Sequence, residues 1–350
     1  MMIPSEQNLP PITMLVLNYN GKKHLEPCLN SLLATDYPRF KVVVVDNGST
    51  DNSIEFIRRK YPDTEIIQHN KNLGYAYAIN LVMETIESKY VVFLNNDIIV
   101  EPDWLQQLIS HINTEKVAAV NPNILFLKNK EVINAAGGSC DIYGIGWNRG
   151  NGELDKGQYG IVEEVFYVNG TALLTKKEIW KDIGSFDERY FLYGEDLDWC
   201  WRARLKGYRI LYIPSSRIYH YWHGSGGSMI TLLERHCLAT FLKNYSIKTI
   251  FNLTPKYLAL KFLKAIWLMK NGREINEKFA VFQSFLWNLL NFKSTWRKHL
   301  TVQALRKVSD KEIQKNMYRN SFELSAWTGK IEHPLIKRLR ENRTKSHSFP

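Results

Sequence analysis

The chain has 350 residues, 45% of them apolar and 13% aromatic, which is too apolar for an unfolded chain and long enough to bury a large core. The net charge of +11 is uneven: residues 231–350 hold about 23 Lys and Arg against 8 Asp and Glu, close to +15, which leaves about −4 for the rest. The four scattered cysteines have no metal spacing, Met1 to Pro11 has no apolar leader core, and no run reaches the roughly 20 apolar residues that span a bilayer. These features argue against a disulfide scaffold, a zinc module and a spanning segment, and point to a soluble or peripheral protein on the cytoplasmic side with an anionic partner surface, either membrane headgroups or nucleic acid.

Taken in order, Ile12 to Leu17 is a buried-strand run that ends in Asn18-Tyr19-Asn20-Gly21. A helical pattern follows, with Leu25, Leu29, Leu32 and Leu33 on one face. Phe40 to Val45 is a β-branched strand ending in Asp46-Asn47-Gly48-Ser49-Thr50-Asp51, followed by a helix through Arg59. Ile66-Ile67 marks a third strand, Asn70 to Gly74 a turn, and Tyr75 to Glu87 a helix. Tyr90 to Leu94 is an apolar strand ending in Asn95-Asn96-Asp97. This alternation predicts an α/β fold, with a mostly parallel sheet and helices on both faces.

Residues 123–165 are rich in Gly and Asn and read as loops and antiparallel strands at one end of the sheet. Phe166 to Leu174 is read as a strand broken at Asn169-Gly170, and Lys176 to Ile183 as a short helix. A further helix opens at Gly194-Glu195-Asp196 and ends near Gly207, before two strands at Arg209–Ile213 and Arg217–Tyr221. From Thr231 the periodicity is helical to about residue 336, and residues 337–350 form a basic tail.

Ligands in open α/β sheets bind beyond the carboxyl ends of the strands. The polar strand ends Asn18-Tyr19-Asn20, Asp46 and Asn95-Asn96-Asp97 therefore outline a nucleotide-diphosphate pocket, with an aromatic for the base and a carboxylate for a cation. Neither a G-x-G-x-x-G after the first strand nor a P-loop is present, which removes the dehydrogenase and P-loop readings. A helix cap is the bland reading of Asn95-Asn96-Asp97. A helix first turn is the bland reading of Glu195-Asp196, and Asp198 is placed to pair with Arg202 one turn on.

In order and spacing, the stretches Leu17-Asn18-Tyr19-Asn20, Val45 to Asp51, Asn70 to Ala76, Leu94 to Asp97, Phe186-Asp187-Glu188, Tyr193 to Asp198 and His220 to Ser225 resemble the family 2 glycosyltransferases, particularly the bacterial rhamnosyltransferase-like members. The resemblance covers about residues 10–230 and implies a glycosyltransferase GT-A fold, a nucleotide-sugar donor and a divalent cation, Mg²⁺ or Mn²⁺. Carried over by position, Asp46 meets the base, Tyr19 packs on it, and Leu17 lines the same strand end. Asn72, Gly74, Asn95 and Asn96 border the donor, and Asp97 holds the metal. The family's first metal-motif acid is replaced here by the amide of Asn95. Asn169 matches the acceptor-side strand, and Glu195 adjoins Asp196, the expected base of an inverting transfer. His220 is expected to ligate the metal, with His223 as the other candidate and Gly224 to Gly227 as a closing loop.

The C-terminal third interleaves Trp267, Phe279, Phe285, Trp287, Phe292 and Trp296 with Lys and Arg. Two readings stand for it: an interfacial amphipathic surface, or a helical subdomain packed on itself with a solvated basic face. The expected acceptor is a hydroxyl of a growing cell-surface glycan or of a lipid-linked glycan, and no nucleic acid is expected as a partner, since no DNA- or RNA-binding motif is visible. The rival classes are a sugar nucleotidyltransferase and a noncatalytic glycan-binding scaffold with the same fold.

Overall fold

A computed structural model describes residues 9–222, 227–272 and 274–327. His223, the stretch Gly224 to Gly226 and the expected tail at 337–350 lie outside the described residues. The chain forms two compact units, and the first comprises Met1–Gly138, Asn148–Arg204 and Tyr208–Trp222. The second begins at residue 223, ahead of the boundary expected near 230, and also takes in Ser139–Trp147 and Leu205–Gly207.

The first unit is built on one ten-stranded sheet. Its first four strands are β1 (Ile12–Asn18), β2 (Phe40–Asp46), β3 (Glu65–Gln68) and β4 (Tyr90–Asn95). They pair in parallel in the order β3-β2-β1-β4. Helices α1 (Lys22–Leu33), α2 (Ser53–Lys60) and α3 (Tyr75–Thr85) connect them. The β-branched runs are buried, as strands covered on both faces must be. One face of β4 sends Val92 and Leu94 into the main core beside Trp104. Its other face sends Phe93 against Trp180 and Phe186, with ring centroids 5.1 Å and 5.8 Å away.

Past β4 the sheet turns mixed. It adds β5 (Ile98–Val100), helix α4 (Trp104–Ile112), β6 (Val117–Phe126) and β7 (Asn129–Ala135). A two-stranded ribbon of β8 (Gly138–Cys140) and β9 (Gly146–Asn148) follows, then β10 (Glu163–Glu164). After that come β11 (Ala172–Lys176), α5 (Lys177–Ile183), α6 (Glu195–Leu205) and β12 (Arg209–His220). Strand β11 lies antiparallel between β4 and β6, and β12 runs parallel to β6.

Two sequence expectations are corrected here. The strand expected over Phe166–Leu174 begins only at Ala172, because Asn169 holds the preceding segment in a turn through its Oδ1, which accepts the Thr171 N–H at 2.8 Å. The two strands expected at 209–213 and 217–221 are one strand with a register shift between Ile213 and Arg217.

The second unit is helical: α7 (Gly227–Asn244), α8 (Ile247–Asn271), α9 (Ile275–Lys278), α10 (Ala280–Leu290), α11 (Phe292–Leu305), α12 (Asp310–Ile313) and α13 (Phe322–Trp327). Helices α10 and α11 pack on α7, and α8 packs on α9 and α10. A buried charge cluster ties three of these helices. Lys261 Nζ lies 2.8 Å from Glu234 and 3.5 Å from Glu323, and Lys264 pairs with both acids. Burial opposes the charge on Glu234, but the two ammonium groups hold its carboxyl down to about 2. Asp141 fastens α13, its Oδ2 accepting the Phe322 N–H at 2.9 Å while Trp147 stacks on the Phe322 ring.

Phe93 fills the space under Trp180 and Phe186 with no exposed surface. Phe93→Ala should lower the unfolding free energy by about 3–5 kcal/mol in denaturant titrations monitored by circular dichroism.

Candidate active site

Strand register sets the polar ends side by side. Asn18 of β1 is level with Asp46 of β2, and Leu17 is level with both Val45 and Asn95. Asn18 is the hub of this edge. Its Nδ2 donates to Asp46 Oδ2 at 2.8 Å and to Ser49 Oγ at 3.1 Å, and its Oδ1 accepts from Asn96 Nδ2 at 2.6 Å. The other oxygen of Asp46 accepts the Ser49 N–H at 2.9 Å, and the residue has no exposed surface. Asp46, expected to meet a base, thus spends both carboxylate oxygens inside the protein and braces the loop after β2. Tyr19, one residue past the hub, is 48% exposed and is the aromatic free to cover a planar ring at this edge. Leu17 is half-buried beneath it.

Asn47 does for the next loop what Asn18 does here. Its Nδ2 donates to Asn72 Oδ1 at 3.0 Å and to the Gly74 carbonyl at 3.2 Å, while its Oδ1 accepts the Leu73 N–H. Asn72 in turn accepts the Gly74 N–H at 2.9 Å. Gly74 has φ +80, and a Cβ there would stand 2.5 Å from the Phe191 carbonyl oxygen, so only glycine fits. Asn72 and Gly74 are therefore locked to the end of β2.

Asp97 follows β4. Its carbonyl accepts the Tyr221 N–H at 2.8 Å, and the adjoining β5–β12 pair sets Ile98 opposite His220. Asp97 Oδ1 and His220 Nε2 converge at 3.3 Å. The other ring nitrogen, Nδ1, lies 3.0 Å from Asn134 Oδ1, which can only accept. The proton of a neutral His220 therefore sits on Nδ1 and leaves the Nε2 lone pair aimed at a carboxylate. Two lone-pair donors so placed call for a proton or a cation between them, and an imidazole oriented by an amide oxygen is the usual support of a metal ligand. Among the described residues no group of three or more His, Cys, Asp or Glu could hold a metal, so a cation at this pair would take two ligands from the protein and need the rest of its shell from elsewhere.

The third group lies across β11. The Asn95 N–H donates to the Thr171 carbonyl at 3.1 Å, which brings the Asn169-Gly170-Thr171 turn to the end of β4. Asn169 Nδ2 donates to Asn148 Oδ1 at 2.9 Å. The Gly170 N–H donates to Asp196 Oδ2 at 2.9 Å, and the Leu197 N–H donates to Asp196 Oδ1 at 2.7 Å. Tyr75 donates its hydroxyl to the Gly170 carbonyl at 3.0 Å. Asp196 is partly exposed, and burial raises its carboxyl above the usual range against the backbone N–H bonds from Gly170, Leu197 and Asp196 itself that lower it. A partly exposed carboxylate of raised basicity suits proton removal from a hydroxyl.

Glu195, expected at the substrate, is 4% exposed, and its Oε2 has no hydrogen-bond partner. Burial first and the Asp196 charge second hold its carboxyl well above the ordinary range. Asp198 is fully buried and pairs with Arg202 at 3.0 Å, the i,i+4 pair read from the sequence. Asn134, Asn47 and Tyr75 orient the site although none is among the candidates from sequence; Asn47 and Tyr75 lie within stretches that carry the resemblance, whereas Asn134 has no sequence signal. Asn134 lies 86 positions from the histidine it holds, and amides and phenols are common in loops and cores.

The model described as Glycosyl transferase family 2 matches residues 13–168. The N-acetylglucosaminyl-diphospho-decaprenol L-rhamnosyltransferase of Mycobacterium tuberculosis (strain CDC 1551 / Oshkosh) is 26% identical over 255 residues, which are 66% of this chain and 83% of that protein. Among solved structures, GalNAc-T7 with UDP, GalNAc and Mn²⁺ shares the fold with a TM-score of 0.60 at 15% identity, over 94% of this chain and 59% of that one. The mannosyltransferase PcManGT from Pyrobaculum calidifontis, in complex with GDP-Man and Mn²⁺, has a TM-score of 0.51 at 17% identity, over 87% of this chain and 88% of that one. Residues 13–168 of the chain thus match the family 2 glycosyltransferase model, and the mixed sheet has the GT-A fold of these glycosyltransferase structures.

An acid with a higher pKa folded than unfolded keeps a proton that the unfolded chain releases, so stability falls as pH rises from the unfolded value toward the folded one. Glu195 is such an acid. Glu195→Gln should remove that loss, so the variant gains stability relative to the parent as pH rises above about 4, read in urea titrations across the pH range.

Proposed function

We propose that this glycosyltransferase moves one sugar, with rhamnose the first to test, from a nucleoside-diphosphate donor to a hydroxyl of a lipid-linked glycan and inverts the anomeric centre. The observation that carries the donor side is the convergence of Asp97 Oδ1 and His220 Nε2 at 3.3 Å, with Asn134 on the far ring nitrogen. These two residues fit a divalent cation, Mg²⁺ or Mn²⁺, and the cation when bound neutralises the charge that builds on a departing diphosphate. Rhamnose and the lipid-linked acceptor are suggested by the name of the mycobacterial relative. The enzyme would meet such an acceptor at the membrane surface, and no helix among the described residues is long and apolar enough to cross a membrane.

The chain's own residues divide the work. Tyr19 is placed to stack on the base. Asn96, held by Asn18, keeps a second amide N–H for ribose or phosphate. Asp196 accepts the proton of the attacking hydroxyl, its orientation set by the Gly170 and Leu197 N–H groups. Tyr75 fixes the Gly170 turn and thereby the distance between the base and the end of β4. Glu195, buried beside Asp196, holds its own carboxyl well above the ordinary range and adds to the dry surroundings of the base.

Two variants separate donor binding from chemistry. Asp97→Asn should abolish metal-dependent binding of nucleoside diphosphates in calorimetry, while the fold survives. Asp196→Asn should bind donor as the parent does and lose about 100- to 10,000-fold in turnover. A fully active Asp196→Asn variant removes Asp196 as the base.

A further inference from the structure

Three helices of the second unit are amphipathic the wrong way round for a solvated surface. On α8 the inward side holds Lys261 and the half-buried Lys264 between Tyr257 and Leu268, while Phe262, Ile266 and Met269 are exposed. On α10 the buried positions include Ser284 and Asn288, which donate to the Glu234 and Arg235 carbonyls, while Phe282, Leu286 and Leu289 face out. On α11 Thr295 and His299 are buried, while Phe292, Trp296 and Leu300 are exposed. These nine outward side chains are between 40% and 72% exposed. Single exposed apolar residues are ordinary, but a face repeated on three neighbouring helices is not. The Lys261 and Lys264 ammonium groups are held by ion pairs, and Ser284, the Asn288 N–H groups and His299 by backbone carbonyls, so these polar positions are built into the unit.

Charge says what covers this face. The three helices hold eight Lys and Arg and no Asp or Glu. Lys256, Lys270, Lys293 and Arg297 remain exposed around the apolar residues. Apolar side chains flanked by cations, with no carboxylate among them, match acyl chains beneath anionic headgroups. Among the described residues no helix is long and apolar enough to cross a membrane, so a bilayer would be met by this face lying in its interface.

We infer that the outer face of α8, α10 and α11 is a docking surface for an anionic lipid bilayer. The inference deepens the proposed function and rests on its membrane-borne acceptor. It names the part of the chain that brings the enzyme to that acceptor.

The test uses the full chain and vesicles without donor or acceptor. The parent should sediment with vesicles of phosphatidylcholine and phosphatidylglycerol, more weakly with phosphatidylcholine alone, and less at high salt. The triple variant Phe262→Ser, Phe282→Ser, Leu289→Ser should lose about 100-fold or more in partitioning and keep transfer to a short water-soluble acceptor. Lys256→Glu with Lys270→Glu and Lys293→Glu should lose the preference for anionic vesicles. Independently of any variant, brominated lipid should quench tryptophan fluorescence of the parent, since Trp296 lies on the face. A parent that stays in solution with both vesicle types, a triple variant that partitions like the parent, or a parent that buries this face in a dimer and ignores vesicles would each overturn the inference. Vesicle binding in a chain that transfers no sugar to any acceptor would sink the proposed function and leave the docking surface standing.

Discussion

One buried amide does most to define this molecule. Asn18 stands at the end of the central parallel strand and joins the ends of its neighbours, gripping Asp46 and Ser49 on one side and Asn96 on the other. Because the register sets those ends level, one side chain can reach all of them. An amide both donates and accepts, which neither a carboxylate nor a hydroxyl could match here in one geometry. The segment that carries Asp97 thus inherits its position from the sheet, and the precision of the site comes from rigid strands more than from its loops.

The electrostatics follow from the same edge. At the end of β4 lies a carboxylate facing an imidazole lone pair, an arrangement that favours positive charge. Across β11 lies a pair of acids, one sealed and one reachable, that hold their protons more tightly than free carboxylates. Two acidic centres with different surroundings are what the proposed transfer asks for, one beside a charged leaving group and one to take up a proton.

The parallel half of the sheet was readable from the chain because its β-branched runs and polar endings are local features. The Asp198–Arg202 pair was readable because a helix brings positions four apart together. The enclosure of Asp46 was not, since it depends on Asn18 and Ser49 from other segments. Nor was the burial of Glu195, which sequence alone cannot tell from its exposed neighbour. For the C-terminal helices the period was plain but the direction was not. Periodicity shows that a helix has an apolar side, and only packing shows whether that side turns inward.

The position of β11 bears on how the molecule is made. This strand lies between β4 and β6, yet it follows both in the chain and runs opposite to β4. During translation the ribosome releases β4 and β6 first, and neither can complete its ladder until residue 176 has emerged. The nascent chain therefore carries two open sheet edges in the middle of its future core. Such edges attract other strands, which makes this the stage at which a chaperone has most to protect.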